Sequence, residues 1–497
     1  MAKPIEKIVI VGGGTAGWMA ASALSQYLKD KPVSVQLVES DVIGTVGVGE
    51  ATVPGIKYFN RQLGIGERDF INATQATFKL GIEFKDWYTK GSSFFHPFAD
   101  YGMPINGQSF YQHWLQLHKN GYEGALESFC LSTQMALENR FSLPDAEPAS
   151  PLTRYNYAYH FDAFLYAKFL REYAEARGVQ RIEGMISSVT LDEHSGFVKD
   201  VVLASGQVVA GELFIDCSGF KALLIEGALR TGYEDWSHWL PCNSAVAMQT
   251  ENAEAPVPYT CSTAREAGWQ WKIPLQHRAG NGYVYCDKYI SDQEAIDTLR
   301  KHASGRALTE PRVIKFTTGV RKQFWNKNCV ALGLASGFLE PLESTSISLI
   351  QTGIDKLLNH FPDADFSPEL RDEANRLNLL EYARLRDFLI LHYKANKRGD
   401  TQFWLDVQSM DIPEMLAEKI KRFRADGTLI TYDQETFQDA SWLSMYNGFK
   451  IIPNQTSISL SGTERDSLAR MLEKMKSAIA GGVGYAPLHH EFLKSMA

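Results

Sequence analysis

The stretch that most restricts how this chain can fold lies near its start. Ile8-Val9-Ile10-Val11 is an apolar run of strand length, and Gly12-Gly13-Gly14-Thr15-Ala16-Gly17 follows it directly. Trp18 to Tyr27 carries Met19, Ala20 and Leu24 at helical spacing, and a second apolar run over 33–38 ends at Glu39. Strand, glycine turn, helix, strand and terminal acid together make a βαβ unit of the dinucleotide-binding type. Gly12 permits the tight turn, Gly14 admits a pyrophosphate beside the backbone, and Gly17 lets helix pack on strand. The helix N-terminus offers free N–H groups and partial positive charge to phosphates. Glu39 can accept hydrogen bonds from a ribose diol.

The remaining composition narrows the class of protein. A chain of 497 residues allows two or three domains, or one large domain with an elaborated lobe. A net charge of −8 without a basic tract argues against a nucleic-acid partner. No apolar run reaches bilayer length, and the short run at 8–11 is not a leader, so no membrane partner and a cytoplasmic location are expected. The six cysteines are scattered singly, which reads as reduced thiols rather than a zinc ribbon. No metal site is expected, and His489-His490 reads as a solvated tail.

Along the chain, the closely spaced glycines of Gly44-Thr45-Val46-Gly47-Val48-Gly49-Glu50-Ala51-Thr52-Val53-Pro54 suggest backbone lying against a ligand. Residues 77–84 alternate: Phe78, Leu80, Ile82 and Phe84 share one face, while Lys79, Gly81 and Glu83 share the other. That spacing predicts a half-buried strand. The aromatic stretch 94–114, with His96 and Phe98, reads as an irregular wall of a substrate region. A helix is expected over 161–177, strands over 180–203, and further strands ending at Asp216 and over 328–332 that return to the first sheet. A helix over 347–361 stops at Pro362, and Ser367-Pro368-Glu369 opens a largely helical remainder. The expected fold is therefore α/β, a two-part FAD-binding fold of flavin monooxygenase type with a mainly helical C-terminal lobe. Its core would span 1–361, with a β-rich substrate region inserted at about 77–120 and 230–320. The helical lobe, 362–497, would cover the substrate site.

The most specific short motif is Trp269-Gln270-Trp271-Lys272-Ile273-Pro274. On a strand, residues two apart face the same side, so both indoles would form one wall able to shield a flavin from an organic substrate. Taken alone, the pair reads better as part of a hydrophobic core strand. Trp269, Trp271, Ile273 and Pro274 match the Trp-x-Trp-x-Ile-Pro signature of flavin-dependent halogenases, and Gly12-x-Gly14-x-x-Gly17 matches their nucleotide motif. Gly49-Glu50-Ala51-Thr52-Val53-Pro54 resembles their flavin loop, and Lys79 stands where they carry a catalytic lysine. Glu340-Pro341-Leu342-Glu343-Ser344-Thr345 resembles their glutamate and halide segment. The likeness runs in order to about Leu391.

That resemblance implies an enzyme using FAD, as FADH2, with O2 and chloride or bromide. It would make hypohalous acid at the flavin and halogenate an electron-rich aromatic. It implies Lys79 as the group that polarises hypohalous acid or forms a haloamine, and Glu343 as the carboxylate that stabilises the arene cation and takes its proton. Glu340 is a neighbouring alternative, but the spacing to Ser344-Thr345 favours Glu343. FAD would lie on Gly12, Gly14, Thr15, Ala16, Gly17, Glu39, Glu50 and Ala51, with its ring beside Leu334 and Ile347. The amides of Thr345 and Ser346 would bind halide. Trp269, Trp271, Pro274, His96, Phe98, Ser344 and Trp442 would line the tunnel and substrate wall. The implied partners are a small aromatic and a separate flavin reductase, and a homodimer is compatible with the sequence.

Two departures from the family pattern bear on specificity. Ser346 stands where members usually carry glycine, which leaves halide preference open. Ser441-Trp442-Leu443-Ser444-Met445-Tyr446 lacks the tyrosine pair of tryptophan-specific members, so an indole-like substrate is expected rather than free tryptophan. An aromatic hydroxylase is the alternative that shares the FAD fold, and a flavin-binding protein without chemistry ranks behind it.

Overall fold

The strand Lys7–Val11 is buried along four of its five residues, and it pairs in parallel with Ser34–Glu39 on one side and Leu213–Asp216 on the other. These strands are apolar throughout because both sheet faces are covered, the usual condition of a parallel sheet. In the computed structural model, which describes residues 3–42 and 49–496, they sit at the centre of a six-stranded sheet. Its order is Trp325–Asn326, Cys329–Ala331, Leu213–Asp216, Lys7–Val11, Ser34–Glu39, Gln180–Glu183. Only the edge strand Trp325–Asn326 runs antiparallel, turning back on Cys329–Ala331. The helix Thr15–Tyr27 contacts Ala163–Glu175 and Ser346–Asn359. Val9, Val11, Phe214, Val201 and Ala331 belong to the core under this sheet.

Contacts divide the chain into two compact units, each assembled from three segments. The sheet just described belongs to the first unit, Met1–Ala76, Phe161–Ser244 and Ile314–Ala383. The second unit comprises Thr77–His160, Ala245–Val313 and Arg384–Ala497. Five neighbouring strands of its large sheet run in the order Ala279–Tyr285, Gly268–Pro274, Thr260–Arg265, Gly81–Lys85, Ser93–Pro97. All of these pairs are antiparallel except Thr260–Arg265 with Gly81–Lys85. The helix Asp439–Gly448 lies on Ser93–Pro97, and its terminal Gly448 leaves room for the Phe94 ring. The long helix Gly462–Tyr485 opens with a capping box between Ser461 and Glu464.

The structure corrects three sequence expectations. Residues 77–84 are not one half-buried strand. Thr77–Lys79 pairs antiparallel with Ala158–Asp162, and Gly81–Lys85 joins the large sheet. The break falls at Leu80, whose N–H donates to Pro258 O (2.8 Å) and whose carbonyl accepts from Phe98 N–H (3.0 Å). Both faces are buried, because Thr77, Lys79 and Glu83 turn into protein rather than water. The stretch 94–114 is regular at both ends, with a strand Ser93–Pro97 and a helix Phe110–His118. His489 is not in a solvated tail: it is 1% exposed and opens the helix His489–Met496. None of the six cysteines forms a disulfide. Among the described residues, no helix is long and apolar enough to cross a membrane, and no three metal-ligating side chains cluster.

Candidate active site

The glycines of the first turn divide by what a side chain would meet. Gly12 has φ +108°, and a Cβ there would run into the Cys217 carbonyl. A Cβ on Gly17 would strike the Gly12 carbonyl. Both positions are glycine because the protein itself fills the space. Gly14 differs, since a Cβ there would meet nothing within 4 Å. Gly14 also caps the helix Thr15–Tyr27 without any side-chain hydrogen bond. An open space above uncapped helix-start N–H groups fits a pyrophosphate.

Glu39 closes the second strand beside this turn. Its Oε1 accepts from Arg181 Nε at 2.6 Å, with Arg171 at 3.8 Å, and its Oε2 lies against Gly13. Gly333, at φ +62°, brings the turn Gly333–Ala335 close to Ala16: a Cβ there would come within 2.9 Å of the alanine methyl. Leu334 is thereby placed at the start of the helix. Glu50 and Ala51 lie on the short strand Gly49–Ala51, and burial pushes the Glu50 carboxyl up to about 7. Residues 44–48 of the glycine-rich stretch lie outside the described residues. Asp216, at the end of its strand, has a scaffold role: its carboxylate accepts from the amides of Ser218, Leu224 and Ile225.

The glutamate and halide segment is a tight turn into a helix. Pro341–Glu343 forms one 3-10 turn, Ser344 takes the left-handed conformation at φ +61°, and Thr345 caps the helix Ser346–Asn359. A non-glycine residue at positive φ is unfavourable, so surrounding contacts hold this turn in place. No side chain caps the helix start, and Glu343, Ser344, Thr345 and Ile347 are buried. Uncapped N–H groups at buried Thr345 and Ile347 and half-buried Ser346 are the donors a desolvated anion needs. The helix begins at Ser346, one residue before the sequence expectation.

Lys79 lies in the second unit and is 0% exposed. It faces the small Ala158 across the strand pair, and its Nζ stands 5.2 Å from the centroid of the half-buried Phe98 ring. Trp269 and Trp271 occupy the same side of Gly268–Pro274, with ring centroids 6.0 Å apart at 54°. Trp271 lies over Gly282, where any Cβ would meet its indole. Its Nε1 is buried and finds no hydrogen-bond partner among the described residues. Pro274 O accepts from Thr77 Oγ1 at 2.7 Å, which ties the end of the tryptophan strand to the strand of Lys79.

His96 and Trp442 meet in one aromatic cluster. His96 packs on Phe388 and Phe437 at 5.8 and 5.7 Å, and Trp442 meets Phe388 edge-on at 5.0 Å. Trp442 Nε1 donates to Glu435 (3.1 Å), which also pairs with Lys419 at 2.6 Å. Lys79 and Glu343 fall in different units.

Sequence reasoning missed the residues bonded to the strand that carries Lys79. Thr77 Oγ1 meets His160 Nδ1 at 3.0 Å, and His160 Nε2 meets Thr260 Oγ1 at 2.9 Å. Phe78 N–H donates to His489 Nε2 at 3.2 Å across 411 positions. Local spacing carries no sign of such partners. Gly282 did carry a sign, because glycine inside a strand marks a close approach.

Comparison with known proteins places the chain. The sequence profile described as tryptophan halogenase matches residues 7–464. Tryptophan 6-halogenase SttH from Streptomyces toxytricini is 40% identical over 84% of each chain. Tryptophan 7-halogenase RebH from Lentzea aerocolonigenes is 32% identical over 99% of each. Among solved structures, BrvH, a flavin-dependent halogenase from Brevundimonas sp. BAL3, superposes with a TM-score of 0.96 at 48% identity over 99% of each chain. Xcc4156, a flavin-dependent halogenase from Xanthomonas campestris, gives 0.95 at 45% identity over 100% of this chain and 99% of that one. These relatives do not favour the hydroxylase alternative. The chain belongs to the tryptophan halogenase family of flavin-dependent halogenases.

Proposed function

We propose that this enzyme halogenates a neutral, electron-rich arene of the indole class, with Lys79 and Glu343 as its catalytic residues. The burial of Lys79 carries the reading: a lysine at 0% exposure beside an aromatic ring is shielded from bulk water. When bound, reduced flavin and O2 supply the oxidising equivalents that turn chloride or bromide into hypohalous acid. Gly12, Gly14, Thr15, Ala16, Gly17, Glu39, Glu50, Ala51, Leu334 and Ile347 would hold that cofactor, and the amides of Thr345 and Ser346 would hold the halide.

Lys79 donates a hydrogen bond to the oxygen of hypohalous acid and polarises the oxygen–halogen bond. The arene carbon attacks the halogen, that bond breaks, and the leaving oxygen takes a proton from the Lys79 ammonium and departs as water. The ring proton passes to the Glu343 carboxylate, which first stabilises the ring cation. Trp269, Trp271 and Pro274 would wall the route of the oxidant, with Ser344 beside the acid. A separate reductase supplies FADH2, as tryptophan halogenases require.

The substrate class rests on the C-terminal lobe, 362–497, proposed to cover the arene with Trp442 near His96 and Phe98. There Glu435 is already engaged by Lys419, by Trp442 Nε1 and by the Tyr432 amide, so its charge is committed within the protein. A zwitterionic amino acid gains little from such a carboxylate, whereas a neutral arene needs only the aromatic walls. The test pairs Lys79→Ala with a substrate screen. Lys79→Ala lowers halogenation by about 10³-fold or more while FAD still binds. Indole outperforms free tryptophan in product formed, read by mass spectrometry with chloride and bromide in parallel. A variant that still halogenates, or a wild type that prefers tryptophan, overturns the corresponding half of the reading.

A further inference from the structure

The strand that carries Lys79 is gripped on two sides by imidazoles, and the hydrogen bonds fix the form of each ring. Thr77 Oγ1 has one proton and donates it to Pro274 O, which can only accept (2.7 Å). The contact from His160 Nδ1 to the same oxygen, 3.0 Å, must therefore be an Nδ1–H donating to Thr77. Burial keeps this ring neutral, so His160 Nε2 is the acceptor for Thr260 O–H at 2.9 Å. The second ring is settled the same way. The Phe78 amide only donates, so His489 Nε2 accepts from it (3.2 Å), and His489 Nδ1–H donates to Pro256 O at 2.7 Å. Both histidines are neutral Nδ1–H tautomers, each with both ring nitrogens bonded.

Their placement brackets Lys79. Thr77 and Lys79 share a face of their strand, and His160 stands directly opposite Thr77, so His160 is a diagonal neighbour of Lys79 on that face. His489 holds the backbone between them, at Phe78. The C-terminal helix fixes the Phe78 side chain as well: Phe492 meets its ring edge-on at 5.4 Å and also meets Phe141 at 5.1 Å, which itself stacks on Phe78 at 4.1 Å. The segment before the helix is pinned by Phe141 N–H to Pro487 O (3.1 Å) and by His489 N–H to Asn139 O (2.8 Å). Burial holds both imidazoles neutral, pushing His489 down to about 4, and the Lys79 charge adds to the same effect at His160. The titratable groups facing His160 are Lys79 and His489, and the one facing His489 is His490.

We propose that His160 and His489 are positioning residues, neutral clamps that fix the Thr77–Lys79 strand and so the direction of the Lys79 amine. This rests on Lys79 being catalytic. The C-terminal helix is thereby part of the halogen-transfer machinery rather than a trailing element.

The experiment measures product formed per FADH2 oxidised in the full-length holoenzyme with indole and bromide. Four variants are compared with wild type: Lys79→Ala, His489→Ala, His489→Gln and Thr77→Val. His489→Ala is expected to lower coupling and kcat by about tenfold to a hundredfold, with KM for indole within about twofold, because small misplacements of a reacting group cost that much. His489→Gln keeps one acceptor and one donor at similar separation and restores coupling to within about threefold of wild type. Thr77→Val is isosteric, removes both Thr77 hydrogen bonds, and is expected to uncouple likewise. It decides the matter if His489→Ala fails to fold. Wild-type coupling in both His489→Ala and Thr77→Val, or a loss that glutamine does not restore, overturns the clamp. Halogenation surviving in Lys79→Ala overturns the underlying assignment instead.

Discussion

Around the Gly12–Gly17 turn, the groups presented outward are peptide N–H donors and the open space above Gly14; around Lys79 they are side chains drawn from four distant stretches of chain. The first arrangement needs little beyond glycine spacing and a helix start, because the backbone supplies the donors. The helix start at Thr345–Ser346 uses the same device. The second joins Thr77, His160, Thr260, Pro274 and His489, which on the proposed reading aim a buried amine. Binding a constant group such as a pyrophosphate tolerates a backbone solution. Steering a small oxidant to one ring position calls for a side chain with its own support.

If that contrast is right, the two regions fail differently when altered. Gly17→Ala should destabilise the fold by about 3 kcal/mol, because the new methyl overlaps the Gly12 carbonyl in a packed interior. Gly14→Ala meets no protein atom and should cost about 1 kcal/mol or less, an ordinary loss at a helix cap. Yet it should weaken FAD binding about tenfold, roughly 1.4 kcal/mol. Thermal unfolding and flavin titration of both variants check this. Equal damage to stability from the two glycines would mean that Gly14 serves packing as well.

The side-chain device is tested at its acid. Glu343→Gln keeps shape and burial but removes the charge that the proposed role sets against the ring cation, and on that proposal should slow halogenation about 10²-fold with FAD affinity retained. Single-turnover product formation against flavin titration separates these readouts. A loss of flavin affinity would place Glu343 with the backbone-built half of the comparison.

The same contrast explains what the sequence disclosed. The βαβ unit, its return strands at Leu213–Asp216 and Cys329–Ala331, and the Trp269/Trp271 pair were legible because their signals are local: glycine spacing, short apolar runs and period-two alternation. Alternation also set Lys79 apart from the apolar side chains of its strand. It misjudged the burial, because polar Thr77, Lys79 and Glu83 are enclosed by the protein rather than turned to water. The helix Phe110–His118 went unread because aromatic residues weigh little in helix propensity. His489 was unreadable: its partner Phe78 is 411 positions away, and two adjacent histidines near a terminus carry no period.

The buried histidine also leaves a mark on stability. His489 titrates at about 4 in the folded protein against about 6.5 in an unfolded chain, so folding favours its neutral form. Its contribution is full above pH 6.5 and is lost as pH falls toward 4, with the steepest loss between those values. From pH 7 to pH 5 the arithmetic gives about 2 kcal/mol. His489→Gln has no proton to gain, so its urea midpoint should fall less than that of wild type over the same interval. Parallel curves for the two proteins would show His489 open to water, and with it the support beneath Phe78 would go.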